Sequence, residues 1–233
     1  MSVVYDDIYR RIPNIKPKEV KDIKKLSDEG DSEAHYVLGL LYYYGFVIEQ
    51  DYEKSVYYYN LSAKQGNAKG YYGMGKMYEQ GKFIKKNKSL ANQCYLKCVK
   101  IIMEAPVVKD FVEQNMLGNI FYFGNGVEKD YKSALYWFTM SAKQDYSKAQ
   151  YRLGNLYYYG RGVNMDYDRA VEYYKQSAEN GNSKALLELG VCSKLGNGLP
   201  QSDSKAKKYW KKALKLGNHK AKAYIEEYLA KKK

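Results

Sequence analysis

Apolar and small residues return along much of this chain at the spacing of one helix face. Ahead of Gly160 they fall at Ala149, Leu153, Gly154 and Tyr157, the period of an amphipathic helix. Gly160 itself stands where such a helix needs a left-handed residue to end it, a conformation that glycine adopts without a Cβ clash. Six residues on, Asp166 offers a side-chain oxygen to the free N–H groups of a new helix. That second helix carries Ala170 and the bulky pair Tyr173-Tyr174, and it closes in "SAENGN" at Gly181. The pattern predicts a helix pair joined by a tight turn.

The same unit is written five times. Gly39, Gly75, Gly118, Gly154 and Gly190 stand at intervals of 36, 43, 36 and 36, each followed six residues later by Gly45, Gly81, Gly124, Gly160 or Gly196. Then come the capping residues Asp51, Asn87, Asp130, Asp166 and Ser202, and the small residues Ser55, Ala91, Ala134, Ala170 and Ala206. A Gly-x-Gly pair such as Gly124 and Gly126 also occurs in loops that cradle phosphate. Such a loop needs a preceding strand and a third glycine, or a following Gly-Lys-Ser/Thr, and neither is present. The first two repeats even place Val47 and Phe83 where the second glycine of the pair would be. The loop therefore turns a chain. Repeat two is longer by seven residues near "IIMEAPVVKDF", and Pro106 cannot continue a helix interior, so its second helix is expected to overrun and break there. Residues 18–29 read as the second helix of a capping half-repeat, and residues 219–230 as a final first helix.

Units such as "AQYRLGNLYYYGRGVNMDYDRAVEYYKQSAENGN", Ala149 to Asn182, resemble the Sel1-like repeat, a relative of the tetratricopeptide repeat. The resemblance implies an all-α fold, a right-handed α/α superhelix in which each helix pair buries its face against its neighbours. The expected divisions are an N-terminal segment with a capping helix (1–31), five repeats over 32–218 (32–67, 68–110, 111–146, 147–182 and 183–218), and a C-terminal capping helix with a lysine-rich tail (219–233). It also implies action by binding, as a scaffold or adaptor that takes a partner protein or an extended peptide in its concave groove.

Composition narrows this further. Only four prolines, 45% hydrophobic residues and 28% charged residues fit an ordered helical protein. Three cysteines without dense spacing do not make a disulfide framework. No signal peptide is evident, and the longest apolar stretch, "LLYYYGFVI", is too short to span a bilayer, so a soluble intracellular protein is expected. The net charge of +13 is concentrated at the end: from Lys205 onward eleven lysines meet two glutamates. Lys207, Lys208, Lys211, Lys212 and Lys215 form a basic face that offers an alternative function, binding to nucleic acid or another anionic surface with tyrosine stacking.

No catalytic or cofactor chemistry is expected. Cys94 and Cys98 lie four apart but occupy packing positions of the repeat, as does Cys192, and the two histidines, His35 and His219, stand at opposite ends of the chain. Asp130 and Asp166 are explained as helix caps. The aromatic runs say more. Three consecutive helical residues span about 200° of arc, so the tyrosines of 42–44 and 157–159 and the "FYF" of 121–123 cannot all face one core. The first of each run is expected in the core and the middle one, Tyr43, Tyr122 or Tyr158, toward solvent. By similarity to tetratricopeptide arrays, residues on that same face line the groove: Tyr36, Lys76, Asn115, Asn119, Lys148, Tyr151, Asn155 and Lys184. Asn119 and Asn155 are the candidates for gripping a peptide backbone, since an amide both donates and accepts. Lys148 and Lys184 would draw an acidic partner. Leu187 and Val191 replace the basic residues of the best-known carboxylate clamp. The chain is expected to act as a monomer.

Overall fold

A computed structural model describes residues 2–230. Among these, thirteen α-helices and one turn of 3₁₀ helix are joined by short turns, and no strand occurs: this is an all-α repeat fold. The chain forms two compact units that divide after Lys129. The first contains α1 (Ser2–Arg11), α2 (Pro17–Asp28), α3 (Ser32–Tyr44), α4 (Tyr52–Lys64), α5 (Ala68–Gln80), α6 (Lys88–Glu104) and α7 (Phe111–Phe123). The second contains α8 (Tyr131–Ala142), α9 (Ser147–Tyr159), α10 (Tyr167–Glu179), α11 (Ser183–Leu195), α12 (Asp203–Lys215) and α13 (Lys220–Ala230). Lys231, Lys232 and Lys233 of the basic tail lie outside the described residues.

The turns form as their residues dictate. Gly160 ends α9 at φ 62°, and its amide closes on the Leu156 carbonyl. Asp166 then caps α10 by accepting from the Arg169 amide, while its own N–H returns 3.0 Å to the Tyr157 carbonyl and closes the loop. Asp51, Asn87, Asp130 and Ser202 cap α4, α6, α8 and α12 in the same way. Val47 and Phe83 adopt the left-handed conformation of the glycines they replace, at φ 64° and 61°, with their side chains in solvent. Helix α6 runs to Glu104, four residues beyond the usual 13, and ends at Ala105 in extended geometry, which Pro106 imposes on its neighbour.

Four of the five helix pairs are held by a large ring lying on a glycine. A Cβ on Gly154 would come within 2.4 Å of the Tyr174 ring, and one on Gly39, Gly75 or Gly190 within 2.4, 2.8 or 2.1 Å of Tyr59, Tyr95 or Trp210. These four rings are at most 3% exposed, and burying one contributes about 1.5–3 kcal/mol. Serines and asparagines tie the same joints. Ser177 donates to the Ser147 carbonyl at 2.6 Å, and Asn182 reaches that carbonyl from the next repeat at 3.2 Å.

Two expectations are revised. The leading aromatics Tyr42, Phe121 and Tyr157 are half-buried rather than core, because the residues before them, Leu41, Ile120 and Leu156, fill it completely. Tyr42 and Tyr157 instead stack on Tyr58 and Tyr173, each with centroids 5.6 Å apart. The N-terminal segment also holds more than its capping helix, since α1 precedes α2 and is joined to it through the 3₁₀ turn Ile12–Asn14.

Candidate functional site

The first helix of every repeat presents a stripe at four-residue spacing, and the stripe differs between the two units. In the first unit its beginning is covered. Helix α1 lays Tyr9 against it, with ring centroids 6.0 Å from Tyr36, and Tyr36 in turn leans on Tyr59 at 5.7 Å. The Tyr9 hydroxyl donates to Glu33 on α3, and the Lys69 ammonium of α5 sits 5.1 Å from the Tyr9 ring centroid. Lys69 also pairs with Glu33 and, at 2.7 Å, with Asp110, the cap of α7. Burial acts to lower the proton affinity of Lys69, but the two carboxylates outweigh it and hold the ammonium above the ordinary lysine range.

Further along the first unit, Lys76 lies 4.6 Å from the Tyr43 ring centroid and 5.4 Å from that of Tyr44, which itself stacks on Phe46 at 5.1 Å. On α7, Asn119 Nδ2 donates to the Asn115 carbonyl at 2.8 Å. Asn115 is buried, and its Oδ1 has no hydrogen-bond partner.

The second unit repeats the stripe on α9 and α11. Asn155 Oδ1 accepts from the buried Tyr174 hydroxyl at 2.8 Å. The Tyr174 ring is flanked by Tyr151 and Tyr158 at 6.1 and 6.5 Å. Asn197 Nδ2 donates to the Tyr158 hydroxyl at 2.9 Å, and Tyr167 braces the same ring at 5.0 Å. Lys148 and Lys184 are exposed at one register in successive repeats, with Tyr151 and Tyr158 half-buried beside them.

These placements correct part of the sequence-based set. Tyr36, Asn115, Tyr122 and Asn155 are at most 8% exposed and so do not present open contact surface. Tyr36 lies under Tyr9, and Asn155 positions Tyr174. Tyr122, expected in solvent, is buried with its ring edge-on to Phe123 at 4.9 Å. Asn119 has turned its donor onto its own helix, which leaves its acceptor, whereas Asn155 has used its acceptor and keeps its donor. Neither amide can therefore give a peptide backbone both bonds at once. Tyr43, Lys76, Asn119, Lys148, Tyr151, Tyr158 and Lys184 all have accessible surface. The residues missed were Tyr9 and Asp110, while Glu33 and Lys69 share the register of Lys148 and Lys184 on this face but were not among the sequence-based candidates. Tyr5, Ile8, Tyr9 and Ile12 show the helical apolar period in the sequence, but nothing local says where that face docks.

On α12, Lys207, Lys208, Lys211, Lys212 and Lys215 share one side, opposite the buried Ala206, Trp210 and Ala213. Cys98 and Cys192 are buried and Cys94 is half-buried; burial raises the pKa of all three, and that of Cys192 reaches about 12. Among the described residues, no cluster of His, Cys, Asp and Glu can hold a metal ion, and no helix is long and apolar enough to cross a membrane.

A family model described as the Sel1 repeat matches residues 32–67, 68–97, 114–146, 147–182 and 183–218. The chain belongs to the Sel1 repeat family. Sel1 repeat proteins mediate protein–protein interactions and are typically non-catalytic scaffolds. A Sel1 repeat protein from Oxalobacter formigenes is 27% identical, with 96% of this chain and 84% of that one covered at a TM-score of 0.62. The antigen c5321, a protective antigen present in uropathogenic Escherichia coli strains and displaying an SLR fold, is 29% identical over 88% of this chain at a TM-score of 0.51. This chain spans 43% of the length of that structure. A sel1 repeat protein from Klebsiella pneumoniae shares the fold at 18% identity and a TM-score of 0.61, covering 90% of this chain and 98% of that one. No sequence match was found among curated proteins.

Proposed function

We propose that this Sel1 repeat protein is a non-catalytic scaffold that docks an acidic, extended segment of a partner protein on the α9–α11 face of its second unit. The observation that carries the reading is the pair of exposed lysines, Lys148 and Lys184, at one register beside tyrosines whose positions are fixed from behind. Tyr158 is held by Asn197 and Tyr167, so it offers a broad amphipathic surface with little rotamer entropy left to lose. The lysines add long-range attraction for carboxylates, which acts chiefly on specificity and on the association rate. Asn155 acts from beneath this surface, by fixing the Tyr174 ring on which Tyr151 and Tyr158 lean.

A displayed library of random peptides tests this directly. Selection on the intact protein is expected to enrich acidic sequences, and a folded Lys148→Glu/Lys184→Glu variant should lose them by tenfold or more in affinity. Enriched peptides that bind the charge-reversed protein equally well would refute the assignment. The lysine stripe of α12 supports a second reading, contact with a polyanion, because five ammonium groups along one exposed helix side match the repeating charge of a phosphate backbone.

A further inference from the structure

The first unit shows a helix already seated on its repeat face. Tyr5, Ile8, Tyr9 and Ile12 form one apolar stripe and are all at most 6% exposed. Tyr9 enters between α3 and α5, Tyr5 donates to Asp31 at 3.0 Å, and the Arg10 guanidinium lies 4.5 Å from the Phe111 ring centroid on α7. The shape is complementary. The charge is not. Asp31, Glu33 and Asp110 line the floor around the Lys69 ammonium, with Glu113 close by, whereas α1 brings two aspartates and two arginines. Arg11 turns away to Asp7 and Glu19, so Arg10 alone meets the floor as a cation. Asp6 points its charge at an acidic surface: burial, then Asp110, raises its pKa despite Lys69 and Arg10.

Asn115 adds an unfilled bond. It lies one turn along α7 from Phe111, is 8% exposed, and its Oδ1 meets no donor from α1 or any other described element. A buried acceptor left in this state is costly, and a basic side chain arriving beyond Arg10 would satisfy it.

We infer that the α3–α5–α7 face of the first unit is a docking site for a basic, tyrosine-bearing amphipathic helix of a partner protein, and that α1 is a self-ligand which such a helix displaces. The tyrosines of the incoming helix repeat the contacts of Tyr5 and Tyr9. A lysine or arginine of that helix replaces Asp6, turning a repulsion into pairing with Asp110 and Glu33. Ordering the ten residues of α1 opposes the burial of its Tyr5, Ile8 and Tyr9 side chains, which leaves room for a competitor. A second copy of this chain is excluded as the preferred occupant, since its α1 carries the same mismatch. The inference does not depend on the α9–α11 reading, which concerns another unit and the opposite charge.

Two synthetic peptides and the full-length protein provide the test. One peptide spans residues 2–14 unaltered; the other carries Asp6→Lys. The basic peptide is expected to bind saturably and at least tenfold more tightly than the unaltered one. Amide hydrogen exchange of residues 2–11 should accelerate as it binds, while α3, α5 and α7 stay protected. In the full-length Glu33→Gln/Asp110→Asn variant the two peptides should bind alike. If α1 keeps its protection at saturating basic peptide, or if wild-type protein binds both peptides equally, the inference is overturned; both measurements stand on the wild-type protein, whether or not the variant folds.

Discussion

Glu113 occupies a position that four other repeats give to Ala34, Gly70, Ala149 and Ala185. A carboxylate there is out of place, and its pKa is pushed from the ordinary 4.5 to about 7, first by burial and then by Asp110 and Glu33, with Lys69 acting against them. The sign follows from linkage. The folded protein binds the proton more tightly than the unfolded chain, so stability falls as pH rises from about 4.5 to about 7 and is unaffected by this group below that window. Asp51 and Asp130, whose pKa values are lowered by their capping bonds, act only at more acid pH. Glu113→Gln is expected to raise the unfolding free energy measured in urea at pH 8 by about 1–2 kcal/mol once partial exposure is discounted, and to flatten the pH 5–8 profile. An unchanged profile in the variant would assign the slope elsewhere. Such residue-level chemistry was legible in the sequence where it is local. The capping role of Asp166 depends on three neighbouring residues and could be read directly, whereas the burial of Tyr36 depends on Tyr9, 27 residues away.

At the scale of the element, the helix pair is set by the ring-on-glycine contact. Gly154→Ala would place a methyl group inside the Tyr174 ring, and moving that ring also breaks its bond to Asn155. A loss of about 1–3 kcal/mol is expected, measured as a lowered thermal midpoint. Gly181→Ala separates strain from overlap: nothing lies within 4 Å of its added Cβ, so only the cost of φ 80° remains, about 1 kcal/mol. Equal losses at the two sites would mean that the ring contact is not what sets the pair. Helix periods, caps and the overrun of α6 before Pro106 could all be read from the chain, because each is written within a few residues. Helix α1 was missed as an element and as a lid on Tyr36, since its apolar stripe matches any hydrophobic face equally well and only the three-dimensional neighbourhood selects one.

For the molecule as a whole, charge is sorted rather than merely abundant. A chain of net charge +13 keeps an acidic floor beneath α1 and a five-lysine stripe on α12. Replacing Lys207, Lys208, Lys211 and Lys212 by glutamine should weaken binding to single-stranded DNA and reduce the slope of log affinity against log salt by about 0.7 for every lysine engaged. A slope that does not move would remove α12 from any such contact. The location of the lysines was legible from the sequence; the acidic floor was not, because Glu33, Lys69 and Asp110 come from three elements far apart in the chain, α3, α5 and the cap of α7. The joints between helix pairs carry a historical consequence. Ring and glycine are opposite halves of one fitting, and the serine and asparagine ties recur about 35 residues apart, so copying any 36-residue block in a gene inherits both halves at once. Lineages can thus lengthen or shorten such a chain by tandem duplication without inventing a new interface. The repeat with the extended α6 is the exception, and its irregular length marks it as a place where recombination would leave a scar.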